Sequence, residues 1–408
     1  MKILWVKAGG LVPPDTGGKI RSYNILRELA RRHSVTFFSF HAAHENDAHP
    51  GLKNVFDRIV CVPLTLPAPR SLAELADYGV RLLSSQPYGI TKFCRRDVRQ
   101  KLRRLLQDET YDVIVCDFLS PAGAIPWDSP IPKVVFTHNV EAMIWKRHYE
   151  VATNPLWKGI SWWEWRKMAA AERRYLCLAD RVLTVSETDR DAFAPLLKKD
   201  QAITVIPTGV DVDYFTPMPV EEIPNSLVFT GSMDWLPNED AIFYFVKTIL
   251  PLIQQQCPDV SLEVVGRNPS HKLQVLAQAE KAVRLTGWVE DIRPFLARGS
   301  VCIVPLRIGG GTRLKIFEAM AMGKATVSTT IGAEGLPVQN GENILLADTP
   351  KHFADQVIRL LRDANERQRL GTAARTLVEE NYSWPKIAES FSRTLQEVIA
   401  THKPPARD

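Results

Sequence analysis

Long hydrophobic runs are missing from this sequence. No stretch approaches roughly 18 consecutive apolar residues, so no segment is expected to span a membrane. The apolar opening 2–6 is short, runs into Gly9 and Gly10 and lacks a small-residue cleavage site, so it reads as a first strand rather than a signal peptide. Cysteine is sparse as well. Cys61, Cys94, Cys116, Cys177, Cys257 and Cys302 stand apart with no C-x-x-C pair, several of them in apolar runs, which argues against zinc and disulfides. Neither G-x-G-x-x-G nor G-x-x-x-x-G-K-[ST] occurs, which disfavours a dinucleotide oxidoreductase or a P-loop ATPase.

What is present is an ordinary globular composition, 45% hydrophobic and 24% charged, over 408 residues. That length exceeds what one hydrophobic core supports and predicts two domains of roughly 200 residues with a cleft between them. Short β-branched runs recur at 2–7, 34–40, 58–62, 112–116, 133–137, 181–185 and 203–206, separated by helical patterns. Such uninterrupted strands joined by crossovers indicate a parallel sheet covered on both faces. Pro207, Pro217, Pro219 and Pro224 then break the pattern, which restarts at 226–230, 261–265, 283–286, 301–305, 325–328 and 344–346. The expectation is a Rossmann-like domain over 1–210, a linker over 211–225, a second Rossmann-like domain over 226–380, and a C-terminal helix in 381–408 that packs back on the first domain. The net charge of +5 is uneven. The first 200 residues hold 30 of the 51 Lys and Arg against 22 of the 46 Asp and Glu, so an anionic partner is expected on that half.

Three glycine loops follow strands. Gly309, Gly310, Gly311 and Thr312 lead into a helical pattern with Arg313 and Lys315 in its first turn. Glycines let a ligand approach the backbone and a helix start presents free N–H groups, while cations there are unfavourable unless an anion is bound. A phosphate fits. Gly17 and Gly18, and Gly231 with Ser232, offer two weaker loops of the same kind, each as well explained singly by a tight turn.

At these residues the chain resembles the retaining glycosyltransferases of family 4, which have the GT-B fold, and the likeness covers nearly the whole length. It is carried by GGGTRLKIFEAMAMG at 309–323, IPTGVDVDYF at 206–215 and YSW at 382–384. The resemblance implies α/β architecture with two facing doubly wound domains, the second binding a nucleoside-diphosphate sugar, with UDP as the expected carrier. It implies that Glu318 accepts hydrogen bonds from the ribose, that the base packs near Arg267, Trp288 and Val289, and that His138 lies beside the donor sugar. Two departures stand out. Gly310 occupies the place where many relatives carry a sugar-holding Glu, and Ser232 and Pro237 stand where relatives often carry Arg and Lys. Arg313 and Lys315 are therefore expected, with His138, to form the catalytic set and to carry the leaving-group charge. Trp288 reads equally well as core.

Asp211-Val212-Asp213 imitates a D-x-D metal motif but falls in the linker turn, so no metal and no cofactor is expected. For the hydroxyl acceptor, Asn139 and Glu141 follow His138, and Trp162 and Trp163 belong to a run of five tryptophans between 145 and 165 mixed with Lys and Arg. That run, and the basic segment 92–104, suit an aromatic acceptor platform or peripheral contact with anionic lipid, although core packing explains at least half of the tryptophans. A cytoplasmic protein, peripheral at most to the inner face of the membrane and without a nucleic-acid partner, is expected. A GT-B epimerase or hydrolase, or a non-catalytic lipid-surface protein, are the alternatives.

Overall fold

The computed structural model describes residues 1–14, 16–42, 52–68, 71–308 and 313–402. The chain forms two compact units, Met1–Pro207 with Ile387–Asp408, and Thr208–Lys386.

The first unit is built on seven strands: β1 Lys2–Ala8, β2 Ser34–Ala42, β3 Arg58–Leu64, β4 Val113–Asp117, β5 Lys133–Phe136, β6 Arg181–Thr184 and β7 Ile203–Val205. They lie in the order β3-β2-β1-β4-β5-β6-β7, every pair parallel. Helices cover both faces, so the central strands are buried throughout rather than on alternate residues; Ile3, Leu4, Trp5 and Val6 are all inaccessible. The helix Trp384–Thr401 contributes Phe391 to this core, its ring 5.4 Å from Trp5 and 5.2 Å from Phe136.

The second unit repeats the plan with β8 Ser226–Thr230, β9 Ser261–Val265, β10 Val283–Gly287, β11 Val301–Val304, β12 Thr326–Ser328 and β13 Leu345–Leu346, in the order β10-β9-β8-β11-β12-β13. The helical stretch after β8 runs from Leu236 to Gln254 and widens into a π-helix at Phe245–Ile249. Pro251 explains the widening: it has no N–H to bond the carbonyl four residues back, and its ring crowds that carbonyl. Among the described residues no helix is long and apolar enough to cross a membrane.

Both sheets reverse their order beside the first strand. β1 lies between β2 and β4, and β8 between β9 and β11. In open parallel sheets the two adjoining connections part at such a point, leaving a crevice beyond the carboxyl ends of the strands where ligands bind.

Candidate active site

In the second unit that crevice is lined from Gly231, directly after β8. Gly231 has φ +153°, and a Cβ there would sit 2.7 Å from Lys315 Nζ and 2.8 Å from Asn238 Nδ2. Glycine is therefore what lets the helix Leu314–Ala321 bring Lys315 up to the loop. Lys315 Nζ donates to Asn238 Oδ1 at 2.7 Å and stands 4.0 Å from the centre of the Phe229 ring. Asn238 Nδ2 in turn donates to the Ser232 carbonyl at 2.8 Å. Arg267 Nε donates to Ser232 Oγ at 3.0 Å, and that hydroxyl donates to Asp234 at 2.7 Å. Glu318 follows Lys315 by one turn on the same helix. Burial pushes the Lys315 ammonium down to about 7 and the Glu318 carboxyl up to about 7, each partly opposed by the other's charge.

A half-buried ammonium in the first turn of a helix is disfavoured twice, by partial desolvation and by the helix dipole. A bound anion relieves both costs. Gly309, Gly310, Gly311 and Thr312 lie outside the described residues. Arg313, expected to share an anion with Lys315, has partners of its own within the second unit. It caps the helix with non-helical φ −87° and ψ 45°, and its guanidinium donates to the Ile331 carbonyl at 3.1 Å and lies 3.9 Å from Glu334. Backbone direction at the cap, invisible in the sequence, sends it to that segment. Trp288 is 72% exposed after Gly287, so it is no core residue, while Val289 packs against the core.

The first unit carries a different constellation at its own switch point. Lys7 and Asp117 are register partners on β1 and β4, and Lys7 Nζ donates to Asp117 Oδ2 at 2.9 Å. The same carboxylate accepts from Trp5 Nε1 at 3.0 Å, from Ser22 Oγ at 2.7 Å and, on its other oxygen, from His138 Nε2 at 2.7 Å. Arg21 Nη1 reaches His138 Nδ1 at 2.7 Å. A guanidinium only donates, so Nδ1 accepts and the imidazole is the neutral Nε2–H tautomer. His138 is thus buried with both ring nitrogens engaged, stacked on Phe118 at 3.8 Å. Burial pushes it down to about 3, against the pull of Asp117. Burial alone would raise Asp117, but Lys7, His138 and Ser22 hold it well below the usual carboxylate range.

Phe118 has φ +68°, a left-handed conformation that costs an aromatic residue energy and is retained only where surroundings enforce it. Gly18 permits this, because a Cβ there would lie 2.7 Å from the Phe118 ring. Gly17 opens the helix Gly17–Ala30, which also supplies Arg21 and Ser22.

The family model described as Glycosyltransferase Family 4 matches residues 16–214, and that described as Glycosyl transferases group 1 matches 224–363. The chain belongs to glycosyltransferase family 4. Its relatives include an uncharacterized 44.6 kDa protein in the cps region of Klebsiella pneumoniae, 21% identical over 72% of this chain and 76% of that protein. A GDP-mannose-dependent monoacylated alpha-(1-6)-phosphatidylinositol monomannoside mannosyltransferase of Corynebacterium glutamicum is 26% identical over 47% of this chain. The match spans about half that enzyme, 55% of its length. The crystal structure of Anabaena Alr3699/HepE in complex with UDP superposes with a TM-score of 0.67 over 97% of this chain and 100% of that one, at 15% identity. The fold of this glycosyltransferase is GT-B, with the two doubly wound sheets expected.

The acceptor candidates of this family 4 enzyme fall into two groups. Asn139 and Glu141 stay beside His138. Asn139 Oδ1 is buried with no hydrogen-bond partner among the described residues, and burial raises the Glu141 carboxyl to about 7. Glu172 accepts from the Ala142 N–H at 3.0 Å, holding the start of the helix Glu141–Val151 where Val140 offers no side-chain cap. Trp162 and Trp163 lie elsewhere on the helix Pro155–Leu178, about 14 Å along its axis from Glu172 at 1.5 Å per residue. They are exposed, as is Trp157, while Trp145 and Trp165 pack against the core. Asn238, Asp117 and Lys7 were not singled out in the sequence. Their importance is one of juxtaposition, and only the register of β1 on β4 and the fold of the β8 loop reveal it.

The Lys315 and Glu318 shifts carry a pH signature. Glu318 titrates above its unfolded value, so its stabilisation is full below the ordinary carboxyl range and falls as pH rises to about 7. Lys315 titrates below its unfolded value, so its contribution rises from about 7 toward the ordinary ammonium range. The ligand-free second unit is therefore expected to be least stable near neutrality. Thermal melts across pH check this: the neutral minimum should flatten in a Lys315→Met, Glu318→Gln variant, and an unchanged profile would mean that both groups titrate normally.

Proposed function

We propose that this glycosyltransferase moves a sugar, with retention of anomeric configuration, from a UDP-sugar to a hydroxyl acceptor without a divalent cation. The observation that carries the reading is Lys315, a half-buried ammonium held by Asn238 beside Gly231 at the switch point of the second unit, with Glu318 one turn further along. This is the arrangement a departing diphosphate needs: a fixed positive charge in low dielectric, and a carboxylate set to accept two hydroxyl hydrogen bonds from a ribose. Arg267 and the exposed Trp288 are assigned to the base, and Asn139 and Glu141 to the acceptor hydroxyl. UDP as carrier is supported by the Anabaena neighbour's complex with UDP, and GDP is the competing carrier, named in the Corynebacterium relative.

Metal independence is supported by Asp211, whose carboxylate accepts from the Tyr214 N–H at 3.0 Å and so serves the turn that the D-x-D pattern occupies. The test begins with thermal stabilisation by UDP- and GDP-sugars, followed by product formation in excess chelator. Turnover should persist in chelator; a loss restored by Mg²⁺ or Mn²⁺ overturns the metal-free reading. Glu318→Ala should weaken nucleotide-sugar binding in a calorimetric titration by about 1 to 3 kcal/mol, and unchanged affinity in the folded variant would remove the ribose assignment.

A further inference from the structure

The helix Leu72–Leu82 is assembled inside out. Its polar residues face the protein: Asp77 pairs with Arg81 and accepts from Tyr88 Oη, Arg81 donates to the Thr91 carbonyl, and Tyr78 packs on Tyr88 with ring centres 4.9 Å apart. Positions 72, 75, 76, 79, 80 and 83 form one helical stripe, and they are Leu72, Leu75, Ala76, Gly79, Val80 and Leu83. All six are exposed, Leu72 by 85%, Leu75 by 66%, Val80 by 78% and Leu83 by 92%. No residue of this helix is buried. An amphipathic helix normally turns such a stripe inward, and an exposed contiguous apolar face marks an interaction surface.

Its neighbour indicates what covers it. Trp163 Nε1 donates to the Leu82 carbonyl at 3.0 Å, which ties the helix Pro155–Leu178 to the end of the stripe, and Trp162 stacks against Trp163 at 6.2 Å. On that helix Lys158, Trp162 and Arg166 are spaced four apart, share one face and are exposed. Of the acidic groups nearby, Glu164 is inaccessible and paired with Lys167, Asp77 is held by Arg81, Glu150 lies 3.7 Å from Lys146, and Glu74 in the first turn of the helix is half-buried. The outward face is aliphatic, tryptophan-bearing and positive, the chemistry of the headgroup boundary of an anionic bilayer. We propose that the stripe of the helix Leu72–Leu82, with Trp162 and Trp163, docks the first unit on a lipid surface carrying anionic headgroups. This surface is independent of the donor assignment.

The test uses the full chain with vesicles of phosphatidylcholine alone or with roughly 30% phosphatidylglycerol. Wild type should float with the anionic vesicles, with a blue shift of tryptophan emission and loss of binding at high salt. Leu75→Glu, Val80→Glu, at solvent-exposed positions, should lower the bound fraction about tenfold or more. Lys158→Gln, Arg166→Gln should remove the preference for anionic vesicles. Absent flotation of wild type, or equal flotation of the Leu75→Glu, Val80→Glu variant, overturns the proposal. So does a concentration-dependent dimer in sedimentation that this variant abolishes without any vesicle binding, since a second copy would then cover the stripe.

Discussion

Lys315→Ala is expected to lower kcat/KM for the nucleotide-sugar donor by about 100- to 1,000-fold, the range for removing one preorganised charge stabiliser from a leaving group. The residue is placed for this by three features: the first turn of the helix Leu314–Ala321, the Asn238 side chain that fixes its ammonium, and the glycine at 231 that leaves room for it. Asn238→Ala should show a smaller loss of the same kind, because the charge stays while its position loosens. Arg313→Ala is expected to differ, reducing stability through the lost bond to Ile331 more than it reduces kcat/KM. Steady-state kinetics on variants shown folded by circular dichroism decide the matter. Near wild-type kcat/KM for folded Lys315→Ala would place the diphosphate elsewhere.

The second large effect is on stability. Asp117→Asn keeps the shape of the side chain but strips the countercharge from Lys7, which is 4% exposed. Breaking a buried pair from one side leaves an uncompensated charge and costs about 3 to 5 kcal/mol. The melting transition of the first unit should fall by roughly 10 °C or more. Asp117 is held below its unfolded value, so its stabilisation is present above the ordinary carboxylate range and is lost as pH falls through that range and below. The gap between variant and wild type should therefore narrow in acid. Adding Lys7→Met should restore much of the loss, since a neutral pair no longer buries a lone charge. A single variant that melts with wild type at neutral pH would show that water or local opening already solvates Lys7.

Beyond stability, this network assigns His138 its state. The resemblance placed a histidine near the donor sugar, but not its tautomer or availability. Arg21 on Nδ1 and Asp117 at Nε2 hold a neutral ring against Phe118, so any part it takes in catalysis begins from a fixed hydrogen-bonded imidazole and not from a free base.

The alternation of β-branched runs with helical patterns was enough to place all thirteen strands among the described residues to within about two residues, because strands buried on both faces must be continuously apolar and crossovers must be long. Gly231 and Lys315 were singled out on residue type, since close backbone approach and charge at a helix start demand particular residues, and Glu318 on the family resemblance. What the sequence left undetermined are contacts between residues far apart in the chain. Lys7 meets Asp117 across 110 positions through the register of β1 on β4, and Lys315 meets Asn238 across 77 through the turn and helix start that follow β8. Residue type says that a charge needs a partner. Only tertiary packing decides which partner it finds, and only packing could turn the polar side of the helix Leu72–Leu82 inward and leave its leucines in solvent, since periodicity fixes that a helix has two faces but not which of them the protein covers.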